Sequence, residues 1–159
     1  MALRLTEKQF ARLQRARKSQ SRRTTVAPLS RPESGIKWRE DGFALSIPLR
    51  LASEVNRREH WARRHRRNKA QQAEVRAEWQ CRVGRPEISF PCRVHLVQIG
   101  PEKLDSDNST IAFKHVRDAI AALLGVDDGS DLITWTYGQE RAAAHMIRID
   151  VTFTNKENA

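Results

Sequence analysis

The stretch CRVHLVQIGPEKLDSDNSTIAFKHVRDAIAALLG, from Cys92 to Gly125, decides the fold. Its opening residues alternate, with Val94, Leu96 and Gln98 on one side, and Gly100 and Pro101 close the run, which predicts a strand over Cys92–Ile99. A polar loop follows over 102–108. Phe113, Val116, Ile120, Leu123 and Leu124 then recur at helical spacing, which predicts a helix from about Ser109 to Leu124 with Gly125 as its stop. Downstream, Leu132–Tyr137 and Met146–Phe153 read as two closing strands. Upstream, Phe43, Leu45 and Ile47 alternate with Ala44 and Ser46 in a strand ended by Pro48. Between the two strands lies a long helix, from about Arg58 to Cys81, rich in Ala, Gln, Glu and Arg and broken by Gly84, Arg85 and Pro86. The order strand–helix–strand–helix–strand–strand predicts a small α/β (α+β) domain, a mixed β-sheet with two main helices packed on it.

That domain is expected over 36–154, followed by a polar tail over 155–159. The first 35 residues read as a basic N-terminal extension and linker. Thr6 to Gln9 resembles a capping box, Leu5 and Phe10 are placed for a hydrophobic staple, and a helix over Glu7–Lys18 follows from them. Residues 19–35 turn polar, with Pro28, Pro32 and Gly35. The extension is equally a solubilising tail and a DNA-gripping arm.

A chain of 159 residues suits one compact domain, and 29 Lys and Arg against 19 Asp and Glu give a net charge of +10. Such a balance favours a polyanionic partner, DNA or RNA. No apolar run approaches the ~20 residues that span a bilayer, and no apolar stretch follows the basic N-terminus as a secretory signal requires. The expected compartment is a reducing cytoplasm, with Cys81 and Cys92 as free thiols.

Two constellations carry candidate chemistry. In Leu104-Asp105-Ser106-Asp107-Asn108, the carboxylates of Asp105 and Asp107 are two residues apart after a strand. In extended backbone they point to the same side and converge on one hard cation. Asp127 and Asp128, after the second helix, supply a third carboxylate if the chain folds back. Three carboxylates with spare water positions suit Mg²⁺, with Mn²⁺ as the alternative. The same residues also read as a helix cap and two plain turns. The second constellation is Arg57 to Lys69, in which Arg57, Arg58, Arg63, Arg66, Arg67 and Lys69 surround Trp61, His60 and His65. Phosphate binding is its natural use, since each neutralised phosphate releases counterions; a solvated helix face is the alternative. Cys81, Cys92 and His95 do not match a zinc spacing, and no nucleophile elbow or glycine-rich phosphate loop is present.

The ordered set Leu104-Asp105-Ser106-Asp107-Asn108, Phe113 to Ile120 and Leu124-Gly125-Val126-Asp127-Asp128 resembles the RusA-like Holliday-junction resolvases. Ile47-Pro48-Leu49, Ser53, Asn56, His60, Trp61 and Arg63 resemble the family's first strand and asparagine-containing loop. The resemblance implies a homodimeric, Mg²⁺-dependent endodeoxyribonuclease that resolves four-way junctions by paired symmetric nicks in DNA recombination and repair. It implies Asp105, Asp107 and Asp128 as metal-binding and catalytic carboxylates, with the choice between Asp127 and Asp128 left open. It implies Lys114 as a catalytic lysine that handles phosphate charge, although Lys114 stands farther beyond Asn108 than in the shortest members. A bacterial or phage-infected cell is the expected setting. A flap or fork nuclease of the same fold, and a non-catalytic DNA- or RNA-binding module, fit the same residues.

Overall fold

The computed structural model describes residues 33–51 and 60–153. The helix expected over Glu7–Lys18, the candidate residues Asn56, Arg57 and Arg58, and the tail over 155–159 lie outside them. Among the described residues the elements are β1 (Gly35–Arg39), β2 (Gly42–Ile47), α1 (Trp61–Arg82), β3 (Cys92–Gly100), α2 (Ser106–Ala112), α3 (Lys114–Leu124), β4 (Ile133–Arg141) and β5 (Met146–Phe153). The strands form one mixed sheet in the order β1-β2-β5-β3-β4, antiparallel throughout except for β3 and β4, which run parallel. Helices pack on this sheet, so the α+β architecture is as expected. A parallel pair needs a long crossover, and α2 with α3 provides it.

Alternation sets the two faces of the sheet. Phe43, Leu45 and Ile47 from β2, Val94 and Leu96 from β3, and Ile147, Ile149 and Val151 from β5 are buried together with Val75 and Trp79 of α1 and Val116, Ala119 and Ile120 of α3. Trp79 meets Phe43 edge-on, with centroids 5.3 Å apart. The intervening residues make a polar face. There Arg148 bridges Glu140 and Asp150, Asp150 also receives Arg39, and His95 bonds Thr136 at 2.8 Å. Hydrogen bonding from Arg148 holds the Glu140 carboxyl below its ordinary range, with burial opposing. Gly42 permits the close approach of β2 to β5: its φ is +155°, and a Cβ there would lie 1.9 Å from the Val151 carbonyl oxygen.

Three elements differ from expectation. The first is β1, which carries no signal in the sequence. It is a short edge strand with exposed Lys37, Trp38 and Arg39, so no burial pattern marks it. The second is the acidic segment. The helix begins at Ser106 rather than Ser109, with Asp105, extended at φ −61° and ψ 152°, at the N-cap position and making no side-chain cap hydrogen bond. Asp107 therefore lies in the first helical turn, and the same-side argument for extended backbone does not apply to the pair. The third is the helix itself, which breaks at Phe113. That residue is fully buried, closes α2 and opens α3, with ψ at −6°.

Other boundaries follow their signals. α1 starts at Trp61, with the His60 side chain accepting from the Ala62 amide. Its buried stripe is Gln71, Val75 and Trp79, spaced i, i+4, i+8; no residue from Trp61 to Ala70 is fully buried. Gly125 stops α3 in the left-handed region at φ +72°, and Val126 N donates to Ala121 O as the chain turns away. Among the described residues no helix is long and apolar enough to cross a membrane.

Candidate functional site

The acidic turn is placed by β4. Gln139 points its amide at the loop after β3, accepting from Leu104 N at 2.8 Å and donating to Leu104 O at 2.6 Å. Leu104 is thereby fixed, and the next residue is Asp105. Both Asp105 and Asp107 are exposed. Asn108 Nδ2 donates to Asp105 Oδ2 at 3.5 Å. Asp107 has no hydrogen-bond or ion-pair partner among the described residues. Asn108 thus braces the first carboxylate from one turn away.

Asp127 and Asp128 do different things. Asp127 Oδ1 accepts from Gly129 N at 2.9 Å and closes its own turn. Asp128 turns toward α3, where Arg117 donates to its Oδ2 from Nε at 3.0 Å and from Nη2. Arg117 Nη1 also faces the Tyr137 hydroxyl at 3.5 Å, and its guanidinium carbon lies 5.8 Å from the Trp135 ring centroid. Trp135 Nε1 donates to Asp128 O at 2.9 Å. Hydrogen bonding to Tyr137 and to Asp128 raises the Arg117 pKa, with burial opposing. Two β4 residues on one strand face thus meet the guanidinium, and one of them, Trp135, also bonds the loop that carries its counterion.

A hollow of about 330 Å³ is lined by Ser109 and Thr110 of α2 and by Tyr137, Gly138 and Gln139 of β4. Gln139 leads to Asp105, and Tyr137 leads to Arg117. Two buried oxygens are without a hydrogen-bond partner in this region: Ser109 Oγ, and Oε1 of Gln98, which pairs with Gln139 across the β3–β4 ladder.

Asp105 and Asp107 share one turn, whereas Asp128 lies in the turn after α3 and is bonded to Arg117. Asp105 and Asp107 offer the oxygen donors that Mg²⁺ or Mn²⁺ takes. Among the described residues, however, no three His, Cys, Asp or Glu side chains gather into a group that could hold a metal ion. Lys114 is exposed at the first position of α3, one helical turn before Asp118, which faces His115 at 3.7 Å. Arg63, Arg66 and Lys69 are exposed on the first three turns of α1 and Arg67 is half-buried there; Arg66 Nε folds back to Ala62 O at 3.4 Å. Trp61, beside them, is 74% exposed.

Sequence reasoning missed Arg117, Trp135, Tyr137 and Gln139 as site residues. Their one local signal is that Trp135, Tyr137 and Gln139 alternate on a single strand face with polar ends, which a strand facing only a core does not require. No protein-family model matches the chain, and no curated protein matches it.

Proposed function

We propose that this chain is a metal-dependent endodeoxyribonuclease that cuts branched DNA, resolving four-way junctions by paired symmetric nicks. The observation that carries the reading is that one strand, β4, braces an exposed two-carboxylate turn through Gln139 and Leu104 and meets the Arg117 guanidinium through Tyr137. Phosphodiester cleavage needs both: oxygen ligands for a divalent ion, and fixed positive charge near the phosphate. The exposed cations at the head of α1 supply general affinity for the backbone. Mg²⁺, with Mn²⁺ as substitute, is the cofactor of this reading, and the cytoplasm of a bacterial or phage-infected cell its setting.

Paired nicks need two sites related by a two-fold axis, and so a homodimer. Trp135, Tyr137 and Ile147 on the closing strands are the apolar candidates for its contacts, and core packing explains them equally well. Ile147 is fully buried in the core, and Trp135 and Tyr137 pack toward Arg117. One specific observation favours a second reading, a non-catalytic nucleic-acid-binding module: Asp128 is already neutralised by Arg117.

A labelled four-way junction incubated with and without Mg²⁺ separates the two. Cleavage in the metal arm, abolished by Asp107→Asn with binding kept or tightened, is the expected result. Binding without cleavage in either arm selects the module instead.

A further inference from the structure

Lys114 and Arg117 are the two cations near the site on α3, and their surroundings differ. Lys114 is exposed at the end of the helix, and its ammonium sits on a flexible stem. Arg117 is held on three sides: by Asp128, by the Tyr137 hydroxyl and by the Trp135 ring. Its side chain keeps 30% of its surface open. A guanidinium has five N–H donors. Nε and one hydrogen of Nη2 go to Asp128 Oδ2, and one hydrogen of Nη1 faces Tyr137 at 3.5 Å. One donor on each Nη is left for the oxygens of an incoming phosphate. Tyr137, which meets Arg117, also lines the hollow beside the acidic turn.

We propose that Arg117, rather than Lys114, is the residue that grips a backbone phosphate of the bound nucleic acid, and that Asp128 is the counterion that orients it. The proposal rests on the nucleic-acid part of the reading above and not on cleavage. Asp128, Tyr137 and Trp135 surround the guanidinium, so little freedom is lost when a phosphate arrives. Asp128 keeps the guanidinium aligned and also weakens its grip, because its charge repels the incoming anion. The pair therefore trades affinity for orientation.

The test is junction binding in EDTA, read by fluorescence anisotropy across a salt series, for Arg117→Gln, Arg117→Lys, Lys114→Gln, Asp128→Asn and Asp127→Asn. Arg117→Gln is expected to flatten the slope of log K against log salt by about 0.9, the share of one duplex phosphate, and Lys114→Gln to leave it unchanged. Arg117→Lys should keep the slope and lose affinity, since the charge stays and the guanidinium is gone. Asp128→Asn should tighten binding more than Asp127→Asn, which removes the same charge from the adjacent turn. An unchanged slope in Arg117→Gln, or a loss carried by Lys114→Gln, overturns the proposal. If Arg117→Gln does not fold, the two aspartate variants decide: equal effects refute the counterion role, and a larger effect at Asp128 supports it. Because no metal is present, wild-type protein that binds in this way yet never cuts with Mg²⁺ sinks the nuclease reading and leaves this one standing.

Discussion

Replacing Gln139 with leucine keeps the side-chain volume and removes both hydrogen bonds that tie Leu104 to β4. Each such bond contributes about 0.5–1.5 kcal/mol net, so the pair contributes about 2 kcal/mol. Leu104 is only partly buried, and water can reach its amide and carbonyl after the change, which keeps the loss from growing further. For a chain of this size, about 2 kcal/mol lowers the melting temperature by roughly 4–8 °C. The effect is also local, because the residue released is the neighbour of Asp105. Hydrogen exchange at the Leu104 amide should therefore accelerate well beyond what the global destabilisation explains. Gln139→Glu gives a sharper form of the test. Its carboxylate still accepts from Leu104 N but faces Leu104 O with no proton to donate. The variant should recover stability on acidification through the carboxyl range, where the leucine variant does not. A leucine variant with the wild-type melting temperature and an unchanged Leu104 exchange rate would refute the idea that Gln139 positions the acidic turn.

Other expectations follow from the same geometry. Replacing Arg63, Arg66 and Lys69 together with glutamine should weaken binding to every DNA shape and flatten the salt slope by up to roughly 0.9 for each phosphate that is no longer neutralised; an unaltered slope would mark these side chains as solvated surface. Cys81 is exposed, whereas Cys92 is buried and burial raises its thiol pKa. A thiol reagent should therefore modify one site quickly in the native protein and the second only on unfolding, and two equally fast sites would contradict the placement of β3. The Arg148 side chain, by hydrogen bonding, depresses the Glu140 pKa below 4.5, so its contribution to stability is present above that value and is lost as pH falls through the lower folded pKa. The stability difference between wild type and Glu140→Gln should shrink on acidification, and it should be small throughout, because half of the Glu140 side chain is open to solvent.

The parts of the fold that are legible in the sequence are those whose signal is local. β2, β3 and β5 alternate visibly, α1 lacks Gly and Pro over its whole length, and Gly125 stands where α3 stops. β1 is not legible, because an edge strand with a single neighbour buries too little to impose a pattern. The start of α2 falls earlier than its spacing suggests because Asp, Ser and Asn favour loops and helix caps alike, and Asp105 takes the cap. In the site, the acidic turn announces itself by residue type. The partners that arrange it do not: Leu104 and Gln139 are 35 residues apart, and Arg117 and Asp128 are 11 apart with the helix stop at Gly125 between them, so no single element's period betrays either pair. By residue type Asp128 is a carboxylate in want of a cation, and the structure supplies that cation from within the chain.

The order of strands in the sheet bears on how the molecule is made. β5 is last in sequence and lies at the centre, hydrogen-bonded to β2 on one side and β3 on the other. Gly42 pairs with Thr152, so the β1–β2 hairpin cannot dock until almost the whole domain has left the ribosome. During synthesis the hairpin and the β3–β4 unit are separate fragments with bare edges. A chain cut short before Met146 holds every residue of the acidic turn and of the Arg117 cluster without the central strand that gives them a common frame.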